Sequence, residues 1–301
     1  MNLFNRIIAW TLPIIPKPIV RKVSARYIAG ESIADAVKTI RSLNSEGAMA
    51  TVDVLGEYIK KMSEADENTN YSIKVLDAIN KEQIDSNLSI KLTSLGLGLD
   101  NAACEKNVRK ILERAREHGN IFVRIDMEDS SYTTVTVDLY DSLRKEYSNV
   151  GIVLQAYLRR TEADIKRLLE GGTTNTRLCK GIYIEAEAIA FKDREEIRAN
   201  YLKCLDLLFT GGAYAGIATH DDYLTSNAEQ IIRKHGLTTS QYEFQMLYGV
   251  RDSLRRSLIA AGHRLRVYVP FGADWYGYSV RRLKENPGIA GYIVKALFTG
   301  K

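Results

Sequence analysis

Short apolar runs alternate with longer segments of helical periodicity along most of this chain. Eight runs of roughly 5–8 residues are rich in Val, Ile, Leu and Tyr, a composition typical of buried strands. The predicted strands are 48–55, 88–93, 121–127, 151–157, 176–183, 216–220, 242–247 and 265–270. Because strands and helices alternate, the pattern predicts a parallel sheet with helices outside it.

The segments between the runs predict amphipathic helices. Segment 101–118 places its apolar residues on one face, and Gly119 follows as a C-terminal stop. Thr161 is the predicted N-cap of a helix over 161–169, with Asp164 three residues further on. The other predicted helices are 222–235, 250–261 and 275–285.

The number of repeats decides between two parallel-sheet architectures. Eight strand–helix units in about 250 residues are typical of a (βα)₈ barrel. A doubly wound open sheet usually carries a G-x-G-x-x-G turn after an early strand, whereas segment 96–98 lacks the third glycine and is interpreted as a loop. We therefore predict an α/β chain with a TIM-type barrel over 31–301 and an N-terminal helical arm over 1–30.

The predicted arm combines an apolar stretch with a basic one. Arg6 and Pro13 interrupt the apolar segment 3–15, and four basic residues follow between positions 17 and 26. No apolar run reaches the roughly 18–20 residues needed to cross a bilayer, and no small-residue cleavage site suggests a signal peptide. The arm either lies on a membrane surface or packs on the domain or a neighbouring subunit, and we prefer the second interpretation.

Composition narrows the function classes. The 301 residues are 45% hydrophobic and 26% charged, which excludes intrinsic disorder. The net charge is only +5 and the basic residues are dispersed, so nucleic-acid binding is not expected. Three scattered cysteines cannot form a disulfide framework, which indicates a reducing compartment and a cytoplasmic location, with peripheral attachment to the inner face of the membrane as an alternative.

Polar and ionisable residues lie at the ends of the predicted strands. Burying even a neutral polar group without a partner costs about 2–7 kcal/mol, so a shared site is the simplest explanation for so many of them. The residues are Lys91, Asp126, Gln155, Arg177, Lys180, Tyr183, Thr219, His220, Glu243, Gln245 and Tyr268, with Arg281 and Arg282 beyond the last strand. The excess of cations suits a carboxylate or a phosphorylated cofactor, and the lack of a second nearby histidine argues against a metal.

Seven segments of the sequence, which contain most of these residues, resemble bacterial proline dehydrogenase in its monofunctional form. They follow the family's order over about residues 30–290 and read SIKLTSLGLGLD (89–100), VRIDMEDS (123–130), VLQAYLRRT (153–161), RLCKGIY (177–183), ATHD (218–221), YEFQMLYGVR (242–251) and VYVPFGADWYGYSVRRL (267–283). The resemblance implies a distorted (βα)₈ barrel that holds FAD non-covalently. It also implies oxidation of L-proline to Δ1-pyrroline-5-carboxylate by hydride transfer to flavin N5, with electrons passed to a membrane quinone.

The resemblance also implies roles for individual residues. Asp126 and Arg177 would be catalytic, with Arg177 stabilising the reduced flavin, and Leu178 would help to shape the proline pocket. Gly181 would allow the backbone to approach the cofactor. The substrate would be bound by Lys91, Tyr268, Arg281 and Arg282. FAD would be bound by Met127, Gln155, Arg177, Lys180, Gly181, Ile182, Thr219 and His220.

Other interpretations stay open at this point. Asp126 could be a solvated loop acid, Arg281 and Arg282 surface residues, and His220 a core histidine. Glu243 could be an ion-paired residue of the barrel floor, and Cys179, where the family commonly has Val, is expected to be a buried core thiol. A related dehydrogenase of hydroxyproline or another cyclic amino acid, and a non-enzymatic membrane-bound scaffold, are the alternative functions. The partners expected are L-proline, the quinone, a membrane surface contacted by the arm and, for a homo-oligomer, further copies of the chain.

Overall fold

Eight parallel strands form a closed barrel in the structure, a computed structural model that describes residues 20–21 and 25–279. The strands are β1 (Met49–Val54), β2 (Ser86–Ile90), β3 (Val123–Ile125), β4 (Val150–Gln155), β5 (Asn175–Cys179), β6 (Tyr214–Ala218), β7 (Tyr242–Leu247) and β8 (Leu265–Phe271). Parallel pairing of β1 with β8 closes the ring, with Val52 opposite Val269. The predicted (βα)₈ barrel is confirmed, and the open sheet is excluded.

Among the α-helices whose bounds lie within residues 25–279, one precedes the first strand and one follows each of the first seven. The helices are α1 (Ile33–Ser45), α2 (Met62–Glu82), α3 (Asn101–Glu117), α4 (Ser130–Leu143), α5 (Thr161–Glu170), α6 (Arg194–Thr210), α7 (Asp222–Lys234) and α8 (Asp252–Ala260). Their apolar faces pack against the strands; in α3, for example, Val108, Ile111 and Leu112 are fully buried. Within residues 25–279, every helix is too short or too polar to span a lipid bilayer.

Six of the eight predicted strands extend past the carboxyl ends of the observed strands, by one to four residues. The prediction continued over 121–127 and 176–183, but β3 ends at Ile125 and β5 ends at Cys179. The apolar pattern continues beyond β3 because Met127 packs in the core even though it is no longer paired in the sheet. The hydrophobic pattern therefore predicted which residues are buried, but it did not predict the last residue of each strand that is paired in the sheet.

The predicted N-cap of α5 is wrong. Arg160 occupies the cap position without a side-chain cap, whereas the Thr161 hydroxyl donates to the Gln155 carbonyl oxygen at 2.6 Å. Arg160 instead binds both oxygens of Asp164, at 2.8 and 2.9 Å. Thr161 thus ties the helix to the end of β4, which is a structural role that cap statistics cannot reveal.

Some predictions fall outside the described residues. The arm over 1–30 is described only at 20–21 and 25–30, and the last predicted helix only as far as 279. Segment 96–98 follows a short 3₁₀ turn (Leu92–Leu95) and lies in a loop, as interpreted from the sequence. The division into an arm and a barrel domain stays a prediction.

Candidate active site

A cavity of about 1270 Å³ opens at the carboxyl ends of the strands. This is where enzymes with this fold place their active sites. The predicted site residues that line it are Lys91, Asp126, Met127, Gln155, Arg177, Lys180, Gly181, Ile182, Thr219, His220 and Tyr268. Arg281 and Arg282 lie outside the described residues. The cavity thus brings these described residues together, whereas Glu243 does not line it, and the individual roles stay predictions.

Asp126 lies at the centre of the polar network in this cavity. Its Oδ1 accepts hydrogen bonds from Ser89 Oγ at 2.6 Å and from Arg177 Nη1 at 2.8 Å. Its Oδ2 accepts from the Tyr268 hydroxyl at 2.7 Å, and Lys91 Nζ lies 3.6 Å away. Asp126 is 9% exposed, so the interpretation as a solvated loop acid is wrong.

The charges in this network determine the protonation states of Asp126 and Lys91. Burial opposes ionisation of Asp126, but Arg177 and Lys91 outweigh it and hold the pKa of that carboxyl below its ordinary value. Burial likewise favours the neutral amine of Lys91, yet the neighbouring carboxylates raise the pKa of Lys91. The site therefore holds a carboxylate and a lysine ammonium together at neutral pH.

Asp53, which the sequence interpretation missed, is the closest partner of Lys91. Its Oδ1 accepts from Lys91 Nζ at 2.6 Å, and Lys91 also donates to the Tyr268 hydroxyl at 3.3 Å. Burial raises the pKa of Asp53, although Lys91 opposes the shift. Asp53 is the charged member of the apolar strand MATVDV, so the criterion used for the other strands would have identified it.

Arg177 is held on three sides. Its Nε donates to Gln245 Oε1 at 2.5 Å, its Nη1 binds Asp126, and its guanidinium lies 5.1 Å from the centre of the Tyr268 ring. The buried Nη2 has no hydrogen-bond partner among the described residues. Since an unpaired buried donor is costly, this atom points to a ligand in the cavity as its partner.

Cationic side chains continue beside the main cavity. Lys180 and Arg198 both contact Asp221, at 3.4 and 2.8 Å, and Arg194 lies 3.7 Å from the same carboxylate. These residues line an adjoining pocket of about 310 Å³. Three cations around one carboxylate leave an excess of positive charge, which suits phosphate groups.

Gly181 is required for a reason other than the one expected. Its φ is +109°, and a Cβ at this position would lie 2.1 Å from Cδ1 of the Tyr157 ring. Glycine therefore allows the chain leaving β5 to turn across this tyrosine. Close approach of the backbone to a cofactor stays a prediction.

His220 and Gln155 are oriented by main-chain groups. His220 Nε2 accepts a hydrogen bond from the Leu247 N–H at 2.9 Å, which leaves this ring nitrogen without a proton. Gln155 Nε2 donates to the Glu128 carbonyl oxygen at 2.9 Å. Both side chains line the cavity, so His220 is not simply a core histidine.

Two expectations for β5 are wrong. Leu178, expected to shape the proline pocket, is fully buried in the core and does not line the cavity. Cys179, expected to be a buried core thiol, is only partly buried and lines the cavity. The cause is strand alternation, which places Arg177 and Cys179 on the inner face and Leu178 on the outer one.

Glu128 was also missed. It is 1% exposed and accepts hydrogen bonds from the Thr93 N–H, at 2.9 Å, and from the Thr93 hydroxyl. Burial raises its pKa to about 7 despite these hydrogen bonds. No sequence signal distinguished Glu128 from its acidic neighbour Asp129, which is partly exposed and caps α4.

The comparisons with known proteins agree with this geometry. A family model described as proline dehydrogenase matches residues 36–294. The chain is 40% identical over 277 residues to proline dehydrogenase 2 of Bacillus subtilis, covering 92% of this chain and 91% of that protein. It is 35% identical over 283 residues to proline dehydrogenase of Deinococcus radiodurans, with 92% and 91% coverage. The structure of proline utilization A (PutA) from Bdellovibrio bacteriovorus, inactivated by N-propargylglycine, is similar at TM-score 0.84 and 25% identity, over 99% of this chain and 38% of that one.

Proposed function

The chain belongs to the proline dehydrogenase family, and on that premise we propose that its cavity binds FAD together with L-proline and oxidises proline to Δ1-pyrroline-5-carboxylate. The observation that carries the proposal is the gathering of Lys91, Asp126 and Arg177 in one cavity large enough for a cofactor and a small substrate. The enzyme is an oxidoreductase with L-proline as its substrate.

The proline carboxylate would be bound by cations. Lys91 lines the cavity, and Arg281 and Arg282 are its predicted partners; a guanidinium group can bind a carboxylate through two parallel hydrogen bonds. Tyr268, whose hydroxyl lies between Lys91 and Asp126, would form one wall of the substrate pocket. Asp126 remains ionised and fixes the positions of these groups.

The residues present fit FAD. The unpaired Nη2 of Arg177 supplies a buried cationic donor, and Lys180, Arg194 and Arg198 would hold the phosphates. The remaining predicted contacts are Met127, Gln155, Gly181, Ile182, Thr219 and His220. When bound, FAD would supply the hydride-accepting chemistry for oxidation of the proline ring carbon next to nitrogen. Arg177 would favour this transfer by placing positive charge beside the cofactor.

The proline amine has to be neutral before its neighbouring carbon loses hydride. Asp126 accepts from three donors and forms an ion pair with Lys91, and Asp53 Oδ1 accepts from Lys91, so both carboxylates are already paired with cations in the described site. We propose that the amine proton leaves to water. The pH profile of proline oxidation should then follow the ionisation of the substrate amine and not that of a carboxyl group.

The test is direct. Purified protein should be yellow, and anaerobic L-proline should bleach its flavin absorbance; N-propargylglycine, which inactivated the Bdellovibrio bacteriovorus relative, should inactivate it too. Colourless protein, or a flavin that proline does not reduce, would contradict the proposal. Faster reduction by hydroxyproline than by proline would favour the related dehydrogenase instead.

Electron transfer to a membrane quinone is proposed on the family resemblance. A membrane contact through the arm is the alternative to its packing on the domain or a subunit, and the described arm residues Val20, Tyr27 and Ile28 are buried together with Leu55 and Tyr278. Deleting residues 1–16 and measuring sedimentation with anionic liposomes tests that contact. Equal sedimentation of the two forms would favour packing of the arm on the domain or on a second subunit, which the mass of the particle in solution would distinguish.

A further inference from the structure

Two residues of β7 hold Arg177 from inside the barrel. Gln245 Oε1 accepts from Arg177 Nε at 2.5 Å, and Gln245 Nε2 donates to Glu243 Oε1 at 2.6 Å. We propose that Glu243 and Gln245 are positioning residues that fix the orientation of the Arg177 guanidinium toward the cofactor, through a gap left by Gly216 in β6. The inference rests on the proposed function, in which Arg177 faces FAD.

Glu243 determines which end of the Gln245 amide faces Arg177. Burial favours the neutral acid, but Arg266, 2.8 Å away, outweighs it and lowers the pKa of Glu243. A carboxylate only accepts hydrogen bonds, so Gln245 turns its NH₂ group to Glu243 and its oxygen to Arg177. The reversed amide would place its donors against the guanidinium, which is also a donor. The orientation of Gln245 is therefore specified by chemistry.

Gly216 provides the space that this contact needs. Strand β6 lies between β5 and β7, and Gly216 is opposite Arg177 on one side and Glu243 on the other. A Cβ at position 216 would lie 2.5 Å from Gln245 Nε2 and 3.0 Å from its Cδ. Gly216 does not have a positive φ, so the glycine is needed for room and not for backbone conformation. Its missing side chain lets Gln245 reach across β6.

The contact removes a degree of freedom from Arg177. Asp126 fixes Nη1 and the Tyr268 ring covers one face of the guanidinium, but rotation about the Nη1 contact is stopped by Gln245 at Nε. Nη2 is then the one guanidinium nitrogen without a partner among the described residues. Gln245 thus determines where that free donor is directed.

The first test is Gln245→Met, which keeps the length of the side chain and removes both hydrogen bonds. We expect kcat for L-proline to fall about tenfold, as for the loss of one hydrogen bond to a charged group, with KM changed less than twofold. The midpoint potential of the bound flavin should become more negative, because the charge of Arg177 is less well placed. A potential and a kcat equal to those of the wild type would overturn the inference.

Gly216→Ala is the second test and leaves Gln245 in the sequence. The added methyl group should displace the Gln245 amide and shift kcat and potential in the same direction. In the double variant Gly216→Ala/Gln245→Ala, the glycine substitution should add nothing to Gln245→Ala alone, since its effect passes through the glutamine. Additive effects would overturn the assigned role of Gly216. A wild-type protein without proline-reducible flavin contradicts the proposed function, and this inference with it.

Discussion

Both ends of the barrel bury charged side chains, but the surroundings of these side chains differ. The cavity cluster at the carboxyl ends of the strands comprises Asp53, Lys91, Asp126 and Arg177. The floor cluster, whose members contact the amino ends of the strands, comprises Arg124, Glu243 and Arg266. Every member of the cavity cluster lines the large cavity, whereas no member of the floor cluster does.

The floor cluster is held largely by the barrel itself. Arg266 Nη1 donates to the Ala50 carbonyl oxygen at 2.6 Å, and its Nε pairs with Glu243 at 2.8 Å. Arg124 Nη1 donates to the Asn175 carbonyl oxygen at 2.7 Å. The interpretation of Glu243 as an ion-paired residue of the barrel floor is confirmed. These contacts join side chains and main-chain groups of different strands.

The cavity cluster pairs its members mainly with one another. Lys91 lies between Asp53 and Asp126, and Arg177 keeps a donor that no described residue uses. Buried charge therefore does not identify a site by itself, because structural ion pairs are buried as well. Arg124 Nε in the floor cluster also has no hydrogen-bond partner among the described residues, so what distinguishes the two ends is that the residues of the cavity cluster line the large cavity.

Arg177→Met and Arg266→Met test this difference most strongly. Arg177→Met should lower kcat for L-proline by about 100- to 1000-fold, the usual cost of losing a preorganised charged donor. Asp126 keeps Lys91, Ser89 and Tyr268, so the melting temperature should change little. Steady-state kinetics and thermal melts of the holoenzyme provide both measurements.

Arg266→Met should reduce stability more than activity, which is the opposite of the effect expected for Arg177→Met. It removes the one ion-pair partner of Glu243 within residues 25–279, and breaking a buried pair costs about 3–5 kcal/mol of unfolding free energy. The melting temperature should fall by about 10 °C, while kcat stays within about tenfold of the wild type. A large loss of activity at unchanged melting temperature would show that the floor cluster acts in catalysis.

The barrel could be predicted from sequence because its strands are apolar runs whose spacing reflects core packing. The sequence did not show which buried charges line the cavity and which belong to the floor cluster. The criterion of a charge inside an apolar strand selects Asp53 as readily as Arg124 and Arg266, since all three face inward. Whether such a residue borders open space depends on the closed barrel, which one strand cannot reveal. The error at Leu178 was avoidable, because the inward direction of Arg177 fixes that of its neighbours.

Glu128 belongs to neither cluster and tests burial of an acid that forms no ion pair within residues 25–279, although Lys91 lowers its pKa from a distance. Its pKa of about 7 lies above the ordinary value of 4.5, so the folded protein binds this proton more tightly than the unfolded chain. The stabilisation is complete below about pH 4.5 and is lost as the pH rises through about 7. Relative to Glu128→Gln, which is neutral throughout, the wild type should lose up to about 3 kcal/mol across this window.

Urea unfolding of both proteins between pH 4.5 and 8.5 measures the effect. The amide of the variant can still accept from the Thr93 N–H and donate to its hydroxyl, so the low-pH stabilities should be similar. Parallel pH profiles would mean that Glu128 is ionised in the folded protein and that a cation outside the described residues pairs with it.

Arg281 and Arg282 are the predicted partners of Lys91 in binding the substrate carboxylate and lie outside the described residues. Replacing either with Met should raise KM for L-proline about 10- to 100-fold, because each change removes a charge-assisted hydrogen bond worth about 1.5–3 kcal/mol. The flavin potential should stay close to that of the wild type, which separates substrate binding from the role proposed for Arg177. An unchanged KM in both variants would place the carboxylate elsewhere in the cavity.

A variant of Cys179 tests whether a side chain that lines the cavity necessarily takes part in catalysis or binding. Its thiol lies 3.6 Å from the Leu154 carbonyl oxygen, and burial raises its pKa to about 11, so it is uncharged and a poor nucleophile at neutral pH. Cys179→Val keeps a small apolar group and should change kcat/KM less than about twofold and unfolding free energy by less than about 1 kcal/mol. Slow alkylation by iodoacetamide, compared with an unfolded control, provides a second measurement. A large loss of activity in Cys179→Val, or rapid alkylation that proline blocks, would show that an uncharged side chain of this cavity takes part in the site.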